Sequence, residues 1–167
     1  DLHYRGYDIR DFAESAEFEE IAHLLIHGHL PNPAELATYK AKLKSLRSLP
    51  EAVIKAMEAL PASAHPMDVM RTTSSVLGTC IQEKEEHPES EARDIIDRLM
   101  ACFSSALLYW YHFTVNGKRI DVETEDDSIG GHFLHLLHGE KPSDSWVRAM
   151  HTSLNLYAEH EFNASTF

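Results

Sequence analysis

Apolar residues in this chain recur at intervals of three and four between prolines, and that spacing restricts it to a stack of short helices. The stretch FEEIAHLLIHGHLP places Phe18, Ile21, Ala22, Leu24, Leu25 and His29 on the helical spacing, and Gly28 followed by Pro31 marks the stop. Pro33 falls in the first turn of a second segment. Its stripe is Leu36, Tyr39, Leu43 and Leu46 with lysines opposite, which predicts an amphipathic surface helix ending before Pro50. Pro50 opens a third helix over 53–60, closed by Pro61, and Pro66 starts a fourth carrying Met67, Met70, Ser74, Leu77 and Ile81. The charged run QEKEEH at 82–87 reads as its solvated exit. A long helix over about 92–114 follows, with Ser90, Arg93 and Asp94 at its start. Its apolar residues nearly encircle it, which predicts burial on most sides and, beyond the cover that one layer provides, a homodimer.

Strand signals are thin. Residues 2–9 and 118–122 hold short β-compatible pieces, the second after Asn116-Gly117, and neither can build a sizeable sheet. The expected fold is all-α with at most a small hairpin near Tyr4 to Ile9. No internal repeat and no linker divides the 167 residues, and 43% apolar content is enough for one domain with a buried core.

Asp and Glu number 27 against 15 Lys and Arg, a formal charge of −12. A nucleic-acid backbone is therefore an unsuitable partner, and any anionic ligand needs a local cluster of cations or dipoles. Cys80 and Cys102 lie in no CxxC pattern, which argues against a disulfide framework and for a reducing compartment, the cytoplasm. The longest apolar run, 106–111, is far too short to cross a bilayer. The chain opens on Asp1 without a signal-peptide pattern, so a natural start upstream is expected.

Several patterns suggest chemistry and fail on their own residues. HFLHLLH spaces His132, His135 and His138 by three, but no Cys or carboxylate nearby completes a metal set, so none is expected. HEFNA begins like the zinc-protease HExxH and has Ala164 where the second histidine belongs. Gly130-Gly131 is a lone pair with no strand feeding it, unlike a dinucleotide loop.

Three separated signals remain: YRGYDI at 4–9, HPMDVMR at 65–71 and AEHEFNAST at 158–166. In this order and separation they resemble the citrate synthase family, and the resemblance covers the whole chain. FEEIAHLLIHGHLP and the arginine of LRSLP, Arg47, follow the same pattern, while SIGGHFLHLLHGEKPS at 128–143 looks like the branch that makes 2-methylcitrate.

The resemblance implies an all-α large helical domain and a homodimer packed through helices. It implies a reaction in which the α-carbon of an acyl-CoA loses a proton, the enol or enolate adds to the ketone of oxaloacetate, and the thioester is hydrolysed. Coenzyme A is then part of a substrate, and no cofactor or metal is required. By the same resemblance His160 donates a hydrogen bond to oxaloacetate, Asn163 lies beside it, and Tyr157 sits one turn earlier in a helix-forming terminal segment. Arg47 matches a position that meets the 3′-phosphate of coenzyme A; a solvated cation on an amphipathic helix is the competing reading. His65 and Arg71 are expected to be structural, with Pro66 fixing a helix start and Arg71 finding a carboxylate. The enolising aspartate and further histidines are expected beyond Phe167, so residues 1–167 would be the amino-terminal portion of the large domain. Acetyl-CoA as the alternative acyl donor, and a non-catalytic binding or assembly module, stay open.

Overall fold

The structure, a computed structural model, describes residues 2–81 and 88–159. Strands β1 (His3–Tyr4) and β2 (Tyr7–Asp8) form an antiparallel hairpin, followed by a 3-10 turn at Ile9–Asp11. Seven helices follow among the described residues. They are α1 (Phe18–His27), α2 (Pro33–Ser45), α3 (Glu51–Ala59), α4 (Pro66–Thr79), α5 (Glu89–Asn116), α6 (Ile129–His138) and α7 (Asp144–Tyr157). The hairpin turn needs two left-handed residues, Arg5 at φ 50° and Gly6 at φ 92°, the geometry that matches strand twist in a two-residue loop. The run QEKEEH lies outside the described residues.

The helix ends form where local chemistry satisfies the orphan backbone groups. Asn32 accepts from the amides of Ala34 and Glu35, Glu35 accepts in return from the Asn32 amide at 2.8 Å, and Pro33 occupies the first turn. His65 accepts from Met67 at 3.2 Å before Pro66. Ser128 and Ser143 cap α6 and α7.

Helix α5 is the central element. Val53, Met57, Val69 and Leu77 from α3 and α4 pack on its Cys102, Ala106, Tyr109 and Trp110. Ala22, Tyr39, Leu43 and Ile129 gather around its Ala101. The expected all-round burial is found over 101–110, where α2, α3, α4 and α6 of the same chain supply the cover. Toward the two ends of α5 the cover is incomplete, and Ile96, Tyr111 and Val115 remain exposed. Helix α2 also differs from expectation. Its lysines are not simply solvated: Lys40 meets Glu17 and Asp127, Lys42 meets Asp94 and Asp97, and Lys44 meets Glu125.

Residues 117–128 carry no strand and form a strap between α5 and α6, pinned by polar side chains. Arg47 donates to the carbonyls of Asp126 at 2.5 Å and Ser128 at 3.1 Å. His135 binds the Asp126 carboxylate at 2.6 Å. His132, 1% exposed, donates from Nε2 to the Val122 carbonyl at 2.7 Å. Gly130 lets α7 approach closely, since a Cβ there would sit 3.1 Å from the Met150 side chain.

Burial lowers the His132 pKa from its ordinary 6.5 to about 4. Between those values the unfolded chain binds a proton that the folded chain refuses, so stability is full above pH 6.5 and declines as pH falls toward 4. At ~1.4 kcal/mol per tenfold change in proton affinity, the loss amounts to roughly 3 kcal/mol. His132→Gln keeps a donor for Val122 and removes the titration. Urea unfolding at pH 7.5 and 4.5 should show the wild type losing ~2–3 kcal/mol more than this variant; parallel losses would contradict a buried neutral imidazole.

Candidate functional site

The last turns of α7 are held by residues from the opposite end of the chain. Asn155 is fully buried, and its Nδ2 donates to the carbonyls of Ala13 at 3.2 Å and Ala16 at 3.0 Å. Arg148, two turns earlier, donates to the carbonyls of Glu14 and Ala16 at 3.2 and 2.9 Å. The Tyr4 hydroxyl donates to the Asn155 carbonyl at 2.8 Å and accepts from the Glu159 amide at 3.2 Å. Tyr4 is itself 0% exposed, and burial pushes its pKa up, so the phenol keeps the proton this donation requires. The hairpin thus clamps the exit of α7 from both sides of its end.

A second buried group joins α1, α6 and α7. The Glu19 carboxyl accepts from the Ile129 amide, the first of α6, at 2.6 Å, and its other oxygen lies 3.8 Å from Nδ1 of His151 without a hydrogen bond. His151 Nδ1 accepts from the Phe18 amide at 2.8 Å, so its ring proton is on Nε2. Burial raises the Glu19 pKa; burial, then nearby Arg148, lowers that of His151. Among the described residues Glu17, Glu19 and His151 are the group whose ligand atoms lie within 4.8 Å of one another. Glu17 is engaged by Lys40, one Glu19 oxygen by the Ile129 amide and His151 Nδ1 by the Phe18 amide, while the other Glu19 oxygen has no hydrogen bond. The cluster joins the starts of α1 and α6 to α7.

The residues singled out in the sequence fall in different places. Tyr157 closes α7 and is 79% exposed, free to meet a ligand. Helix α7 stops there, with a bend at Ala158, so the terminal segment does not continue as one helix from Tyr157 through Glu159. His160 and Asn163 lie outside the described residues. Arg47 is 2% exposed, and its guanidinium donates to strap carbonyls, so it is not the solvated cation of the competing reading.

His65 caps α4 and Arg71 pairs with Asp68, the structural roles expected. The three-spaced histidines divide their work: His132 holds Val122, His135 holds Asp126, and His138 packs edgewise on Trp146. Tyr4, Glu19, His151 and Asn155 had no assigned role in the sequence. The available signal was Arg148, His151 and Asn155 at intervals of three and four, polar residues on the buried side of α7.

Comparison with known proteins places this geometry. A family model described as citrate synthase, C-terminal domain, matches residues 1–167. Over 166 residues the chain is 57% identical to a 2-methylcitrate synthase of Shewanella oneidensis, covering 99% of this chain and 44% of that protein. It is 38% identical to citrate synthase 2 of Bacillus subtilis, covering 99% and 45%. The chain thus spans less than half the length of these relatives. A citrate synthase of Thermoplasma acidophilum, solved as a ternary complex with carboxymethyl coenzyme A and oxaloacetate, superposes with a TM-score of 0.86 at 27% identity. That match covers 99% of this chain and 43% of that one. With the all-α architecture and a family match along its whole length, the chain belongs to the citrate synthase family.

Proposed function

We propose that the protein carrying this chain is a 2-methylcitrate synthase, condensing propionyl-CoA with oxaloacetate and hydrolysing the thioester to release coenzyme A. The observation that supports this over citrate synthesis is the 57% identity to the Shewanella oneidensis 2-methylcitrate synthase. Near 35% identity the names divide, with a 2-methylcitrate synthase of Corynebacterium glutamicum at 37% and the Bacillus subtilis citrate synthase at 38%. Similarity at that level supports the family only.

On this reading residues 1–167 supply the amino-terminal part of the large helical domain, and the enolising aspartate and further histidines lie in sequence beyond Phe167. The chain contributes one wall of the oxaloacetate site, with His160 donating to the ketone oxygen, Asn163 beside it and exposed Tyr157 at the rim. The clamp made by Tyr4 and Asn155 fixes where that wall begins. The homodimer rests on the family resemblance, and the cytoplasmic location on the lack of a disulfide pattern around Cys80 and Cys102. Among the described residues no helix is long and apolar enough to cross a membrane.

Release of free thiol from propionyl-CoA and acetyl-CoA, each with oxaloacetate, tests the proposal in the intact protein. A one-methylene difference in an apolar pocket gives ~10–200-fold discrimination, so kcat/KM should favour propionyl-CoA by about that range. A preference for acetyl-CoA overturns the assignment. His160→Ala should lower kcat by ~10²–10³ if it donates to the developing oxyanion, with little change in melting temperature. An unstable but fully active variant would remove it from the site.

Tyr4→Phe probes positioning. It leaves the Asn155 carbonyl and the Glu159 amide without the hydroxyl, at a cost of about 1–3 kcal/mol and a few degrees in Tm. If the clamp sets the oxaloacetate wall, KM for oxaloacetate rises while KM for the acyl-CoA is unchanged. A lowered Tm with both KM values intact would limit Tyr4 to stability.

A further inference from the structure

We propose that His23 and His27 form a two-imidazole site for a late first-row divalent cation, zinc, nickel or copper, in the pocket between α1 and α2. The pair stands four residues apart on α1, the spacing that presents two imidazoles from one helix face to a metal. Their rings stack with centroids 4.3 Å apart. Two nitrogens sharing a zinc lie ~2.0–2.1 Å from it, hence at most ~4.2 Å from each other. Stacked planes do not aim their lone pairs at one point, so binding requires the His27 ring to turn out of the stack about its side-chain torsions.

His23 already has the arrangement of a ligating histidine. It is 7% exposed, and its Nδ1 lies 3.0 Å from the His29 carbonyl. A carbonyl only accepts, so Nδ1 carries the proton and Nε2 keeps its lone pair, the outer-shell contact that orients metal-bound imidazoles. His27 makes ring contacts with His23 and Tyr39 and no hydrogen bond to a described residue.

The surroundings admit a cation. His23, His27, Glu35, Thr38, Tyr39 and Lys42 line an open pocket of about 420 Å³. Lys42 is neutralised by Asp94 and Asp97, each at 2.6 Å, and Arg93 by Glu89. One Glu35 oxygen is used by the Asn32 amide; the other is 3.6 Å from His29 Nε2 and faces no stronger partner among the described residues. The Tyr39 hydroxyl is committed to Asp97 at 2.8 Å and is not a ligand. His29 does not complete a preformed triad with the pair, so water fills the remaining positions. Imidazole donors select zinc, nickel and copper over magnesium and calcium.

Calorimetric titration of ZnCl2 and NiCl2 into the untagged, metal-stripped intact protein tests the site. The wild type should bind one equivalent saturably. His27→Ala breaks no hydrogen bond to a described residue and should weaken binding beyond the ~10–100-fold that loss of an outer-shell partner costs. His138→Ala, on α6, should bind as the wild type does, and circular dichroism should show all three folded. Absence of saturable binding by the wild type, undiminished binding by His27→Ala, or equal loss in His138→Ala would overturn the proposal.

Discussion

The packing of α1, α6 and α7 depends on one buried carboxyl. Glu19 takes up the first amide of α6, a donor with no helical partner of its own, in a place where water cannot serve it. His151 of α7 does the same for the Phe18 amide of α1, so each helix start is satisfied by a side chain of another helix. This is stricter than apolar contact: an aliphatic side chain at position 19 would leave the Ile129 amide buried and unpaired, which costs more than the hydrogen bond contributes. Burial raises the Glu19 pKa because ionisation in that setting is itself unfavourable. Through α6 the constraint reaches His132 and His135, which fix the strap, and Gly130, which seats α7.

Legibility of the fold in the sequence followed the range of each interaction. Asn32-Pro33 and Gly28 end and start helices through bonds within four residues, so the boundaries of α1 and α2 could be read locally. The ends of α5 lie two or three residues outside the expected 92–114. Its first turn rests on Pro88 and its last on Gly117 in a left-handed conformation, beyond the apolar residues that periodicity detects. The lysines of α2 looked like a solvated face because charge alone does not reveal partners 23 to 87 residues away, such as Glu17 and Asp127 for Lys40.

The site was legible as motif and opaque as mechanism. YRGYDI stood out as a pattern, but the work of Tyr4 is a hydrogen bond across 151 residues that only the folded hairpin creates. Arg47 shows the converse. An arginine after an amphipathic helix has the same local signature whether it faces solvent or a ring of carbonyls, and here the strap closes over it. The histidines of α6 share a spacing but not a face toward one ligand, because the strap supplies a separate acceptor for two of them.

Fold and specificity draw on different numbers of residues, which is why they transfer differently between relatives. A TM-score of 0.86 survives at 27% identity because the helix stack needs apolar side chains of suitable size at many positions, and such positions tolerate exchange. Choice between acyl groups one methylene apart is worth only ~1–3 kcal/mol and can reside in one or two pocket side chains. Superposition on a citrate synthase therefore speaks for the architecture and is silent on the acyl group. At 57% identity over 166 residues any one or two such side chains are more often retained than among relatives near 35%, which favours propionyl-CoA as the proposed donor.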